Sequence, residues 1–257
     1  MSFLEVKQVA HFYFTPSTST KALEDISFSI EEGEFISLLG PSGCGKTTML
    51  SILAGLFPPT SGSIMIDHES PETNSNLIGY MLQQDYLFPW KTIEENIFLG
   101  LKLNGRLNEE TKKNALLFLK QIGLEGVEKQ FPRQLSGGMR QRAALARTMA
   151  VNPKLLLLDE PFSALDYQTK LKLEDLVFET LRAYKKTAIL VTHDIGEAIS
   201  MSDRIVLFSA KPGRIHRIFD VPEELRHVTP FEVRGKEAYN DIFQTIWKEL
   251  ESLEELN

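Results

Sequence analysis

Hydrophobic and polar residues alternate with period two over Asp25-Ile26-Ser27-Phe28-Ser29-Ile30, the pattern of a half-buried strand. The first 35 residues as a whole read as β structure. Glu34 to Leu39 is a short apolar strand that runs into a Gly-rich turn and then a helix over about Thr47 to Leu56. Pro58-Pro59-Thr60-Ser61-Gly62 stops that helix, and Ser63 to Asp67 reads as another strand. Residues 92 to 135 are mostly helical in pattern, with Asn108 before Glu109 and Glu110 as a helix start and Gly123 as its stop.

A helix follows from about Gly138 to Ala150, then the apolar strand Leu155 to Leu158. Helix (Asp166 to Tyr184), strand (Thr187 to Thr192), helix (Ile195 to Met201) and strand (Arg204 to Ser209) alternate after it. Such alternation predicts a parallel sheet with helical crossovers. Lys211-Pro212-Gly213-Arg214 reads as a turn, and Phe231, Ile242, Phe243, Ile246, Trp247 and Leu250 as one apolar face of a terminal helix.

Composition bounds the function. The 257 residues are 42% hydrophobic and 25% charged, ordinary for a globular domain. The net charge of −7 argues against nucleic acid as a partner. With one cysteine, Cys44, no intrachain disulfide can form. No apolar run reaches the roughly 18 residues of a membrane span, and the N-terminus lacks the pattern of a signal peptide. Any service to a membrane is therefore expected from its cytoplasmic face and through partners.

Gly40-Pro41-Ser42-Gly43-Cys44-Gly45-Lys46-Thr47 has the P-loop pattern between a strand and a helix. Its glycines let successive amides point at phosphate oxygens, and the helix adds its positive N-terminal end. Lys46 is expected on the β- and γ-phosphates, Thr47 on Mg²⁺, and Thr48 beside them. Cys44 occupies a variable position of the loop and reads as bland. Downstream, Leu155-Leu156-Leu157-Leu158-Asp159-Glu160 delivers two carboxylates at the end of a strand. Alone, a strand ending in Asp-Glu is more often a solvated turn. Behind a P-loop, Asp159 is expected to hold Mg²⁺ and Glu160 to act as general base.

Leu135-Ser136-Gly137-Gly138-Met139-Arg140-Gln141-Arg142 resembles the signature of ABC ATPases, with Met139 where Gln is usual. Other motifs of that family appear in order. Gln83 resembles the Q-loop glutamine, Ser163-Ala164-Leu165-Asp166 the D-loop, and Thr192-His193-Asp194 the H-loop; Tyr13 matches the aromatic that stacks on adenine. The resemblance implies a P-loop NTPase fold with a RecA-like mixed sheet core, an N-terminal antiparallel β subdomain and a helical signature subdomain. It implies an ATPase domain over 1–229, its helical part at about 84–150, and a helical extension over 230–257.

The resemblance further implies catalytic roles for Glu160, His193, Gln83 and Lys46, with Gln83 also near Mg²⁺. ATP would be sandwiched between the P-loop of one chain and Ser136, Gly137 and Gly138 of another, with Asp166 coupling the two sites. The dimer would be of two identical chains or of paralogous ones, docked on transmembrane permease subunits and served indirectly by an external solute-binding protein. Gln84-Asp85-Tyr86-Leu87-Phe88-Pro89-Trp90 resembles importers of the nitrate, sulfonate and taurine type. Leu87, Phe88 and Trp90 form either an aromatic docking patch or part of the core. Two rival functions stay open, a soluble ABC ATPase of DNA or ribosomes and an efflux subunit.

Overall fold

A computed structural model describes residues 2–73, 77–163 and 165–255, with side chains through Leu253. Two sheets organise them. The smaller is antiparallel, in the order β2 (Ser19–Ile30), β1 (Leu4–Phe14), β4 (Ser61–Ile66). The larger has six strands in the order β5 (Ile78–Met81), β6 (Leu155–Asp159), β7 (Thr187–Thr192), β3 (Phe35–Leu39), β8 (Arg204–Ser209), β9 (Arg214–Asp220). Its first five strands are parallel and β9 runs antiparallel to β8.

Every residue of β3, β6 and β7 is buried. Strands covered on both faces read as continuous apolar runs, which is why Leu155 to Leu158 shows no alternation. Helix α5 (Tyr167–Ala183) is the crossover between parallel β6 and β7, while α1 (Lys46–Leu53) leads from β3 to β4 of the smaller sheet.

The helices α2 (Ile93–Leu103), α3 (Glu109–Gln121) and α4 (Gly137–Ala150) pack with α5 against one side of the sheet, in a core containing Ile97, Leu119, Leu145 and Leu158. A second core joins α1 and the antiparallel sheet to the other face, through Leu4, Leu23, Leu50 and Leu157. A third lies between β8, α6 (Ile195–Met201) and the C-terminal helices α7 (Glu223–Arg226), α8 (Pro230–Val233) and α9 (Glu237–Glu255).

Local chemistry sets the helix ends. Thr92 and Glu95 form a capping box on α2, and Asn108 with Thr111 forms one on α3. Gly123 follows α3 with φ 73°, a left-handed stop that glycine adopts without a Cβ penalty.

Several sequence expectations need correction. The helix expected to Leu56 ends at Leu53, because Gly55 turns left-handed (φ 70°) before the prolines. Strand β4 starts at Ser61, and β5, β9, α7 and α8 carry too few patterned residues to have been anticipated. Phe231 is not on the face of the terminal helix. It lies exposed on α8, while α9 buries Ile246 and Leu253 and leaves Trp247 half exposed.

The turn before β9 leans directly on the phosphate loop. The Gly213 amide donates to the Ala22 carbonyl at 3.0 Å, and the Glu24 amide donates to the Gly213 carbonyl at 2.9 Å. A Cβ at Gly213 would stand 2.0 Å from the Cys44 carbonyl oxygen. Gly213→Ala is therefore expected to cost about 1–3 kcal/mol through overpacking against backbone, read from urea unfolding. An unchanged midpoint would mean the turn yields freely.

Candidate functional site

The strand order brings four loops to one edge. Met81 pairs with Leu158, Asp159 with Val191, and Thr192 with Leu39, so β5, β6, β7 and β3 end in register. Gln83, Asp159 with Glu160, His193 and the P-loop follow those ends. The carboxyl edge of a parallel sheet is where such folds place ligands.

Within the loop, Gly43 and Gly45 have φ of 78° and 93°. A Cβ on Gly45 would fall 2.6 Å from the Leu23 side chain, so glycine is required there twice over. Lys46 is buried, its Nζ donating to the carbonyls of Gly40 at 2.6 Å and Pro41 at 3.0 Å. Cys44 beneath it is fully buried, and that burial raises its thiol pKa, which disfavours thiolate chemistry. Pro41, Ser42 and Gly43 complete the outer wall of the loop.

Thr47 Oγ1 donates to Asp159 Oδ1 at 3.3 Å, and the Tyr80 hydroxyl donates to Asp159 Oδ2 at 3.4 Å. Burial raises the Asp159 carboxyl, opposed by the Thr47 bond and reinforced by the Glu160 charge. Burial and the Asp159 charge push the Tyr80 phenol up to about 12, so it stays a donor. Thr47 and Asp159 converge as hard oxygen donors, which fits a small divalent cation that keeps phosphate and water as its other ligands.

Glu160 has φ 44°, uncommon for a residue with a long side chain. Its amide is tied to the Val191 carbonyl at 2.9 Å, and its carboxylate spans two neighbours. Oε1 lies 3.3 Å from His193 Nδ1, and Oε2 accepts from Gln83 Nε2 at 3.3 Å. Gln83 Nε2 also donates to Ser163 Oγ at 3.2 Å, and Ser163 Oγ donates to the Glu160 carbonyl. Backbone strain held by its surroundings is a feature of functional sites, and it was not visible in the sequence.

Tyr13 Oη and Thr48 Oγ1 are 3.2 Å apart, with the Tyr13 ring edge-on to His11. Tyr13, Lys46, Thr47, Thr48 and Glu160 line one cavity of about 770 Å³. Tyr13 is its aromatic wall, and Lys21, Lys46, Lys211 and Glu160 supply its charges.

The structure does not bring the remaining residues to this cavity. Ser136 caps α4, accepting from the Met139 amide at 3.3 Å, and Gly137 and Gly138 open that helix. Helix α4 packs on α2, α3, α5 and β5, whereas α1 packs on β2, β6 and β7. Asp166 is exposed and caps α5 through the Thr169 amide at 3.1 Å. Ala164, within the D-loop pattern, lies outside the described residues.

Three residues of α4 grip the segment after β5 through contacts that the motifs did not flag. Gln141 Nε2 donates to the Gln83 carbonyl at 3.1 Å, Arg140 pairs with Asp85 at 2.9 Å, and Arg147 donates to the Tyr86 and Asp85 carbonyls at 2.7 Å. The segment itself divides. Leu87 is 6% exposed and takes the core alternative, because the Asn96 amide pins the Phe88 backbone with Leu87 turned inward. Trp90 is 70% exposed and stands against Phe88, their rings 5.4 Å apart.

A family model described as ABC transporter matches residues 23–163. The chain is 62% identical over 254 residues to the "Uncharacterized ABC transporter ATP-binding protein YtlC" of Bacillus subtilis (strain 168), covering 99% of this chain and 98% of that one. It is 42% identical over 217 residues to the "Aliphatic sulfonates import ATP-binding protein SsuB" of Bacillus anthracis, covering 84% and 85%. Among solved structures it resembles the dimeric post-hydrolysis state of the ATP-binding cassette MJ0796 bound to ADP and Pi. That match has a TM-score of 0.76 and 35% identity, and covers 85% of this chain and 99% of that one.

The division within the 86–90 segment has a direct test. Leu87→Ala is expected to cost about 2–5 kcal/mol, as core truncations do. Trp90→Ala should stay within about 0.5 kcal/mol, as surface changes do. Thermal unfolding of the isolated subunit checks both, and the reverse ranking would put Trp90 in the core.

Proposed function

The chain belongs to the ABC transporter family, and from that premise we propose that it is the ATP-hydrolysing subunit of a small-solute importer, working as a dimer on separate permease subunits. The observation that carries this reading is the meeting of Lys46, Thr47, Asp159, Glu160, Gln83 and His193 at one sheet edge. The signature helix start, equally suited to an anion, belongs to another part of the same chain. A second chain supplies it, so each site is composite.

In this reading Lys46 exchanges the Gly40 and Pro41 carbonyls for β- and γ-phosphate oxygens. Tyr13 offers its ring to adenine. Glu160 accepts a proton from the attacking water, while His193 hydrogen-bonds the γ-phosphate and Gln83 orients the same water. Thr47 and Asp159 would hold Mg²⁺, with Gln83 beside them, and the ion would supply neutralisation of phosphate charge. Asp166, at the start of α5, reaches toward the second site.

Trp90 and Phe88 face the permease, with α4 gripping their segment, so nucleotide state and permease contact share one rigid connection. Among the described residues no helix is long and apolar enough to cross a membrane. The chain acts at the cytoplasmic face through the permease, whose external solute-binding protein sets selectivity. The acidic balance leaves no role for nucleic acid.

Glu160→Gln is expected to bind ATP but lose about 10²-fold or more in turnover, the scale of a general base. It should also run as an ATP-bound dimer on size exclusion and co-purify with a multi-span membrane partner. Normal turnover would remove Glu160 from its role, and the lack of any membrane partner would remove the importer.

Composite sites predict complementation between Lys46→Ala and Ser136→Arg. Each pure homodimer has a defect in both sites. In a mixed dimer one site receives intact Lys46 and intact Ser136, and the other carries both lesions. Nucleotide binding should return to one per dimer in verified heterodimers. If each site lay within a single chain, mixing would recover nothing.

A further inference from the structure

The turn that carries His193 is held by a partly buried ionic network outside the nucleotide cavity. Lys170, one turn into α5, places Nζ 2.7 Å from Asp194 Oδ2 and 2.5 Å from Glu197 Oε1. The other Glu197 oxygen accepts from the Thr192 hydroxyl, and Thr192 Oγ1 accepts from the Asp194 amide at 3.0 Å. Asp194 Oδ1 caps α6 at the amides of Gly196 and Glu197. Both chain neighbours of His193 are thus fixed, directly or through Glu197, by one ammonium.

A third carboxylate competes for that ammonium. Glu174, one helical turn further along α5, is 0% exposed, and its Oε1 lies 4.0 Å from Lys170 Nζ with no hydrogen-bond partner. Its Oε2 is paired with Arg234 Nη2 at 2.6 Å. Burial lifts the Glu174 carboxyl to about 7, while Arg234 draws it down and the Glu197 charge pushes it up. Two cations therefore serve three carboxylates. Arg234 follows α8, its Nη1 donating to the Pro230 carbonyl at 2.9 Å. Tyr239, on α9, brings its hydroxyl to within 3.0 Å of where a Cβ on Gly196 would lie. Both come from the chain beyond residue 229.

We propose that Arg234 is a positioning residue for ATP hydrolysis: by occupying Glu174 it leaves Lys170 free to hold the Thr192–His193–Asp194 turn. The C-terminal segment thereby sets the geometry of His193 without touching nucleotide. The inference rests on the reading of His193 as the residue that meets the γ-phosphate. Without Arg234, Glu174 is pushed further toward its neutral form and keeps its charge only by drawing Lys170 away from Asp194 and Glu197, which loosens the turn.

The test uses the full chain with Mg²⁺ and ATP. Arg234→Met should lower turnover at saturating ATP about tenfold or more, the scale of a misplaced group, with KM and ATP affinity unchanged. The Glu174→Gln/Arg234→Met double variant removes the competitor and should regain wild-type turnover. Wild-type turnover in folded Arg234→Met overturns the proposal, as does a folded double variant that stays slow, or a loss of ATP binding that matches the loss of turnover. Should Arg234→Met fail to fold, the double variant, with no orphaned charge, decides alone: fast supports the competition and slow overturns it. His193→Ala run in parallel separates the two levels. Normal turnover there sinks the role of His193 itself, whereas collapse beside a normal Arg234→Met sinks only the positioning role.

Discussion

The order of the parallel strands is the constraint on which the rest depends. Strands β5, β6, β7 and β3 are neighbours in space but far apart in sequence, and their carboxyl ends lie in register. Any residue just past one of those ends faces the residues past the others. Gln83, Glu160 and His193 can form a chain of contacts only because β6 lies between β5 and β7. Along β3, β6 and β7 the buried side chains are mostly apolar, Ser37 with its partner Ser202 being an exception, so the charged chemistry gathers at the rim, where water and nucleotide can reach.

That rim is held under tension rather than at rest. Glu160 keeps a left-handed backbone because its amide is locked to Val191 and its carboxylate to two side chains. Lys46 is buried with its charge directed at two carbonyls, a compensation weaker than a phosphate would give. Asp159 is buried beside Glu160 with only hydroxyl donors on its oxygens. A buried ammonium, a strained carboxylate and a half-compensated aspartate in one place favour a ligand that brings both negative charge and a cation.

The strands β7 and β8 and the helix α6 were legible to the residue, because each is a short, complete pattern bounded by clear stops. The helix start at Asn108 was legible through its cap. What failed was of two kinds. Short pieces such as β5 and α8 have four residues each and hold their shape through neighbours, not through propensity. Burial within a motif also escaped: Leu87 and Trp90 are alike in hydropathy, and only the grip of Asn96 on Phe88 sends one in and the other out. The candidate site residues were named by motif. Their mutual contacts, the Tyr80 bond to Asp159 and the Gln141 bond to the Gln83 carbonyl required the fold.

The chain has three cores, and its functional parts divide among them. Cys44 and α1 sit with the antiparallel sheet, α4 with the other helices of the opposite side, and Ile195 of α6 with the C-terminal helices. Packed interiors move as units, so a change at the rim is transmitted where the units touch. Gln83 is one such place, its side chain on Glu160 and its carbonyl on Gln141 of α4. Helix α5 is another, with Asp166 at its start, Lys170 on Asp194 and Glu174 on Arg234. Polar bonds have narrow geometry and apolar contacts do not. The cores also share the sheet itself, β6 giving Leu156 and Leu158 to one and Leu155 and Leu157 to another, so these polar bonds add a geometry-sensitive link at the rim to an apolar one through the strands.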